Sequence, residues 1–300
     1  MTTKNILAFD IGGTKIASAI VSLRKNNFKI SDYQKIRTPK NKKEFAQKIV
    51  ELAGYYEKNN SFNKIGIGIA GQVDDKNSIV RYMPNIKSWK NLDLKKIIEE
   101  ATKKKVTINN DVKCFALAEK EFGKSKEYKN AVYLTIGTGI GGAIKVGGKL
   151  YNGENNTAGE FGHMIVAYNG KKCGCGNRGC WEQYVSGNAI EKLYFEFYGK
   201  KKKAKEIAFD SMKGVKRDQK VIKEISLYLS AGLVSIINTL NPEIIVISGS
   251  VVKQKEILDL AKKDALKKVL IPARKTKIVR SDLEDKAMLV GAALLEDNNK

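Results

Sequence analysis

Three cysteines stand within eight residues, Cys173-Gly-Cys175-Gly-Asn-Arg-Gly-Cys180, and the chain's single histidine, His163, precedes the first of them by ten. Thiolate and imidazole are the ligands that Zn²⁺ prefers, and four of them close a tetrahedral structural site. The glycines between the cysteines let a short loop wrap an ion without steric cost. A disulfide is disfavoured in a reducing compartment, and scattered core thiols would not cluster between glycines. The expected metal ligands are therefore His163, Cys173, Cys175 and Cys180. Cys114, set among Phe115, Ala116 and Leu117, reads as an ordinary buried residue.

Two glycine-rich turns carry a second kind of chemistry. In Asp10-Ile-Gly12-Gly13-Thr14-Lys15 the glycines allow backbone N–H groups to face outward, and Thr14 adds a hydroxyl. Such a nest holds phosphate oxygens, and Asp10 at the strand end is placed to face a Mg²⁺ that rides on them. A plain hairpin uses the same residues. The second turn, Gly137-Thr138-Gly139-Ile-Gly-Gly142, contains the letters of a dinucleotide fingerprint. That motif needs a helix after it, whereas Ala143-Ile-Lys-Val146 reads as a strand. Two strand–turn–strand units of this kind can grip one polyphosphate from two sides. A Walker A loop is absent, because Gly123-Lys124-Ser125 has the tail but position 118 is Ala.

The third constellation is Asn109-Asn110-Asp111, at a strand end and a helix start. A carboxylate there can accept a proton from a substrate hydroxyl while the amides orient the substrate. The same Asp is also a good helix N-cap. One histidine excludes an H-E-x-x-H metalloprotease, and no G-x-S-x-G is present for a serine hydrolase.

These residues need elements to position them. Strands are expected at 6–10, 16–21, 28–36, 64–70, 106–108, 131–136, 143–146, 149–151, 243–248 and 277–279. Helices are expected at 42–58, 92–101, 111–122, 252–268 and 284–296, with 182–230 mostly helical. A strand, a Gly/Thr turn and another strand open each half, which suggests two related α/β lobes. At 300 residues the chain is one large or two medium domains. Its net charge of +23 comes from lysines spread along the whole length, with one dense run at Lys200–Lys203. That pattern reads as a solvated basic surface, with no nucleic-acid site. The longest apolar stretches fall short of a bilayer span, and Asp10 breaks the only apolar run near the N-terminus. No membrane association and a cytoplasmic location are expected.

Asp10-Ile-Gly-Gly-Thr-Lys15, Asn110-Asp111, Gly137-Thr-Gly-Ile-Gly-Gly142, Gly159-Glu-Phe-Gly-His163 and Cys173-Gly-Cys-Gly-x-x-Gly-Cys180-Trp-Glu182 follow one another in this order. The set resembles the ROK family (repressor, open reading frame, kinase) of sugar kinases, and within it the glucokinase-like members. The likeness runs from Ile6 to about Leu295.

The resemblance implies an actin-like ATPase (ribonuclease H-like) α/β fold, with two lobes around a central cleft. One lobe would be 1–111, with a C-terminal helix in 284–300 packing back on it. The other would be 112–283 and carry the zinc loop. It implies ATP with Mg²⁺, one structural Zn²⁺, a sugar substrate, and a homodimer or homotetramer. By the same match Asp111 is the general base toward the sugar 6-hydroxyl. Asn85, Asn110, Glu160, His163 and Glu182 would hold the sugar hydroxyls. Asp10, Gly12, Gly13, Thr14, Lys15, Gly137, Thr138, Gly139 and Gly249 would bind the nucleotide phosphates and adenosine. Ala143, Ser248-Gly249-Ser250 and Asn109 depart from the usual family residues. Glucose is the leading substrate and N-acetylglucosamine or N-acetylmannosamine the alternative, with polyphosphate in place of ATP a weaker one. A repressor is not expected, since only nine residues precede Asp10 and leave no room for a helix-turn-helix domain.

Overall fold

Leu7, Phe9 and Ile11 alternate along β1 (Lys4–Ile11) and enter an apolar core with Phe45, Ile49, Leu52 and Tyr56 of α1 (Lys42–Asn59). Ala8, between them, is equally buried. Strands covered on both faces read as continuous apolar runs, which is why Ile6–Phe9 shows no polar alternation. The structure, a computed structural model, describes residues 3–74, 79–83, 90–283 and 286–296.

The first unit contains residues 1–127, 150–158 and 283–300. Beside β1 and α1 it holds β2 (Lys15–Arg24), β3 (Asn27–Arg37), β4 (Lys64–Ile69), β5 (Gln72–Val73), β6 (Val80–Tyr82) and β7 (Lys90–Leu92). Then come α2 (Leu94–Thr102), β8 (Lys105–Asn110) and α3 (Asp111–Phe122). Its main sheet has the order β3-β2-β1-β4-β8, in which β1, β4 and β8 are parallel and β2 and β3 antiparallel. A small antiparallel sheet, β5-β6-β7, stands apart.

The second unit contains residues 128–149 and 159–282. Its elements begin with β9 (Ala131–Ile136), β10 (Ile140–Val146), a strand β11 (Lys149–Tyr151) whose last two residues already count with the first unit, and a 3₁₀ turn at Phe161–His163. They continue through α4 (Glu182–Val185), α5 (Gly187–Tyr198), α6 (Ala204–Met212), α7 (Lys216–Leu240), β12 (Ile244–Ser248), α8 (Lys255–Lys268) and β13 (Lys277–Arg280). The sheet order is β11-β10-β9-β12-β13, with β9, β12 and β13 parallel and β10 antiparallel to β9. A hairpin beside three parallel strands is thus built twice, as the repeated strand–turn–strand signal suggests.

The last helix, α9 (Ala287–Leu294), belongs to the first unit and packs on α3, β1 and β4. The fit is close. A Cβ on Gly66 would collide with the Ala292 carbonyl, and one on Gly291 with the Cys114 carbonyl. This clamp keeps α3 in the first unit, so the division falls after residue 127 and not at 111/112. Segment 150–158 also returns to the first unit, against the expected single 112–283 lobe.

Among the described residues α7 is the one helix long and apolar enough to cross a bilayer. Its Val221, Ile225, Leu229, Leu233 and Ile236 are buried in the core of the second unit. The lysine run is partly tied down. Lys202 pairs with Asp210 at 2.7 Å and Asp218 at 2.6 Å, and Lys203 with Glu191 at 3.2 Å.

Candidate functional site

Parallel strands end on one edge of a sheet, and ligands of open α/β sheets gather there. In the first unit Asp10, Gly68 and Asn109 stand in one row across β1, β4 and β8. Asp111 follows two residues after Asn109. Gly68 leaves room for this approach, since a Cβ there would lie 3.1 Å from Cys114 Sγ and 3.6 Å from Asp111 Cα. Burial raises the Cys114 thiol well above its ordinary value, and the carboxylates of Asp111 and Asp10 raise it further.

The expected cap at Asp111 lies one residue earlier. Asn110 is the N-cap of α3, and its side-chain oxygen accepts from Val112 N–H at 2.9 Å and Lys113 N–H at 3.3 Å. Its amide donates to the Gly71 carbonyl at 3.1 Å. Asp111 is the first helical residue, with Oδ1 also accepting from Val112 N–H at 2.9 Å. An anionic side chain at this end of a helix is favoured by the peptide dipoles.

The first glycine turn joins β1 to β2. Gly12 N–H donates to the Lys15 carbonyl at 2.9 Å. Its other carbonyls are held from β3's far end: Thr38 Oγ1 donates to Gly12 at 2.7 Å, Thr38 N–H to Thr14 at 3.1 Å, and Lys40 Nζ to Gly13 at 3.0 Å. Thr14 and Lys15 are exposed at the tip. Thr38 and Lys40 were not singled out by sequence, because nothing in a Thr-Pro-Lys segment marks it as a brace for a turn 26 residues away.

In the second unit the other glycine turn joins β9 to β10. Gly137 N–H donates to Gly139, and Gly137 itself accepts from Gly187 N–H, at the start of α5, at 2.8 Å. Gly249 adopts φ +107°, where a Cβ would strike the Ile136 carbonyl. Ser250 Oγ lies 3.8 Å from a Cβ position on Gly137. The two loops therefore meet at the ends of β9 and β12. Thr138 is exposed between them.

Gly159-Glu160-Phe161-Gly162-His163 packs along β10. A Cβ on Gly159, whose φ is +98°, would lie 2.6 Å from the Gly142 carbonyl. Glu160 is exposed, and His163 N–H donates to its carbonyl at 3.0 Å. Glu182 faces the turn between β9 and β10: its Oε2 is 2.8 Å from a Cβ position on Gly139, and its Oε1 accepts from Cys173 Sγ at 3.3 Å and Gln183 Nε2 at 3.3 Å. Gln183, unmarked in the sequence, links Glu182 to the cysteine cluster.

The four sulfur and imidazole ligand atoms of His163, Cys173, Cys175 and Cys180 lie within 4.8 Å of one another. Cys175 Sγ is 3.6 Å from Cys180 Sγ, and Cys173 Sγ is 3.9 Å from His163 Nδ1. A disulfide needs about 2.0 Å. A tetrahedron with zinc–sulfur bonds of about 2.3 Å has edges near 3.8 Å. The donor set and its spacing fit such an ion. Burial pushes the Cys180 thiol up to about 12, a cost that a bound cation would reverse. The loop is pinned to the core by Trp181, fully buried, whose Nε1 donates to the Tyr228 carbonyl at 2.8 Å; Gly232 makes space for its indole.

The site residues thus form two sets, one in each unit: Asp10, the 12–15 turn, Asn110 and Asp111, and then the 137–139 turn, Gly249, Glu160, Glu182 and the metal-type cluster. Asn85 lies outside the described residues.

The ROK family model matches residues 6–299. A glucokinase of Streptomyces coelicolor is 30% identical, covering 96% of this chain and 96% of its own. An N-acetyl-D-glucosamine kinase of Vibrio cholerae is also 30% identical, over 96% of this chain and 98% of its own. The crystal structure of a ROK family glucokinase from Streptomyces griseus, in complex with glucose and AMPPNP, superposes with a TM-score of 0.84 at 30% identity, covering 96% of this chain and 98% of that one. The family match takes in residues of both units, and the chain belongs to the ROK family.

Proposed function

We propose that this chain, an ATP-dependent sugar kinase of the ROK family, phosphorylates the 6-hydroxyl of glucose with Asp111 as general base. Phosphoryl transfer needs positioning and charge neutralisation more than covalent chemistry. Asp111 takes the hydroxyl proton as that oxygen attacks the γ-phosphorus of MgATP; the bond from this phosphorus to the bridging oxygen breaks and ADP leaves. The observation that carries the reading is the division of labour at α3, where Asn110 supplies the cap and Asp111 stands beside it at the strand edge. In this reading Asp10 faces the magnesium, and Gly12, Gly13, Thr14 and Lys15 contact the phosphates with Gly137, Thr138 and Gly139. Gly249 lies toward the adenosine. Asn85, Asn110, Glu160, His163 and Glu182 hold the sugar.

A structural zinc on His163, Cys173, Cys175 and Cys180 would fix the loop that carries these contacts. His163 turns Nδ1 toward Cys173, which in this reading leaves Nε2 for a sugar hydroxyl. Ligation at one nitrogen sets the tautomer at the other.

The second reading, an N-acetylglucosamine or N-acetylmannosamine kinase, is favoured by the Vibrio cholerae relative, which has the same 30% identity over the same 96% of this chain as the glucokinase. It keeps the same base and differs at the sugar 2-position. ADP release with MgATP on glucose, N-acetylglucosamine and N-acetylmannosamine, with Asp111→Asn as control, separates the two. Turnover on an N-acetylhexosamine alone overturns glucose. Silence on all three overturns both.

A further inference from the structure

We propose that Asn156, acting with Lys113, is a positioning residue for Asp111; the proposal rests on the reading of Asp111 as the base. Lys113 is 3% exposed and sits in the first turn of α3. A cation there opposes the helix dipole, and burying an ammonium is costly unless it is hydrogen-bonded. Two local rules are broken at one residue, three positions after the cap. Such violations mark sites held for another purpose.

Asn156 is a partner that helps make Lys113 tolerable. Lys113 Nζ donates to the Asn156 backbone carbonyl at 3.0 Å and also to its side-chain oxygen. The Asn156 amide donates to the Val73 carbonyl at 2.8 Å and reaches Asn109 Oδ1 at 3.4 Å. Asn109 Oδ1 in turn accepts from Asn110 N–H at 2.8 Å. One buried side chain thereby ties β5, the end of β8 and the first turn of α3 together, on both sides of Asp111. Its backbone is left-handed, φ +59°, a conformation that Asn adopts more readily than most residues. It comes from segment 150–158, the stretch that the chain sends back into the first unit. Nothing in the motif Asn110-Asp111 requires this brace.

Asn156→Gly keeps the left-handed backbone and deletes only the side chain. We expect kcat to fall by about 10²-fold, with KM for sugar and for MgATP within about twofold of wild type, since the loss is one of base placement. In the Asp111→Asn background the same change has no further effect on kcat, because the group it positions is already gone. An additive loss in that background would overturn the proposal and leave Asn156 merely structural. So would an unchanged kcat in Asn156→Gly. Should Asn156→Gly melt below the assay temperature, Asn156→Asp decides. It restores an acceptor for Lys113 but not the amide donor, and a kcat recovering part of the loss is expected; wild-type kcat overturns the proposal. Wild-type turnover in Asp111→Asn itself would bring down the base assignment and this proposal with it. A dead Asp111→Asn beside a normal Asn156→Gly would bring down the positioning role alone.

Discussion

Asn110 caps the helix that Asp111 begins, with its side-chain oxygen 2.9 Å from Val112 N. The two neighbours therefore separate under mutation. Asp111→Asn is expected to lower kcat by about 10²–10⁴-fold and to change unfolding free energy by less than about 1 kcal/mol. Asn110→Ala is expected to cost about 1 kcal/mol or more of stability, because it also strands the Gly71 carbonyl. Urea titrations and steady-state assays of both variants check the split.

Metal analysis is expected to find about one zinc per chain. Loading the metal-free protein should release protons, since burial raises the Cys180 thiol well above its ordinary value and favours its protonated form without an ion. Affinity therefore falls as pH falls, and Cys175→Ser or a chelator lowers both Tm and sugar affinity. Proton release on zinc addition in weak buffer, with melting followed in parallel, is the measurement.

Gly139→Ala places a methyl 2.8 Å from Glu182 Oε2. The carboxylate end of Glu182 must turn, while the backbone of the turn is undisturbed. The expected result is a several-fold rise in sugar KM with little loss of Tm, read by initial rates over a sugar concentration series and a thermal melt.

Gly291→Ala tests the clamp under α9. In an open helix this change would add about 1 kcal/mol of stability. Here the new methyl meets the Cys114 carbonyl, and overpacking costs about 1–3 kcal/mol or more. A lowered denaturation midpoint is expected, and a raised one would show that α9 does not hold this position in solution.

Long elements were legible because their apolar periods are long. The α1 pattern of Phe45, Ile49, Leu52, Ala53 and Tyr56 appears in the structure as its buried face, and the hairpin at Gly147-Gly148 is set by two positive φ values. β5, β6 and β7 have two or three residues each, too few for a period, so 72–92 carried no strand signal and Leu92 was drawn into the next helix. The 182–230 region reads as mostly helical without showing where it breaks, and Gly199 at φ +64° ends α5 within it. At the site, residue types and spacing announced the cysteine cluster, since ligands 2–10 residues apart must be neighbours. The Asn156–Lys113 contact spans 43 positions, and no local pattern encodes a partner that distant. The cap misplacement has a simpler cause: Asn and Asp are equal as caps, and two of them stand side by side.

α9 completes the sheet that β1 begins, although nearly the whole polypeptide lies between them. On a ribosome the first unit's strands emerge early and wait, because the helix that fills the grooves at Gly66 and over Cys114 is made after the second unit. Residues of the second unit are all available before then. The half of the protein carrying Asp111 thus lacks one of its core helices until the second unit has been made. A nascent chain stopped before Ala287 would lack the helix that packs against Gly66 and Cys114, so the first unit would be without part of its core.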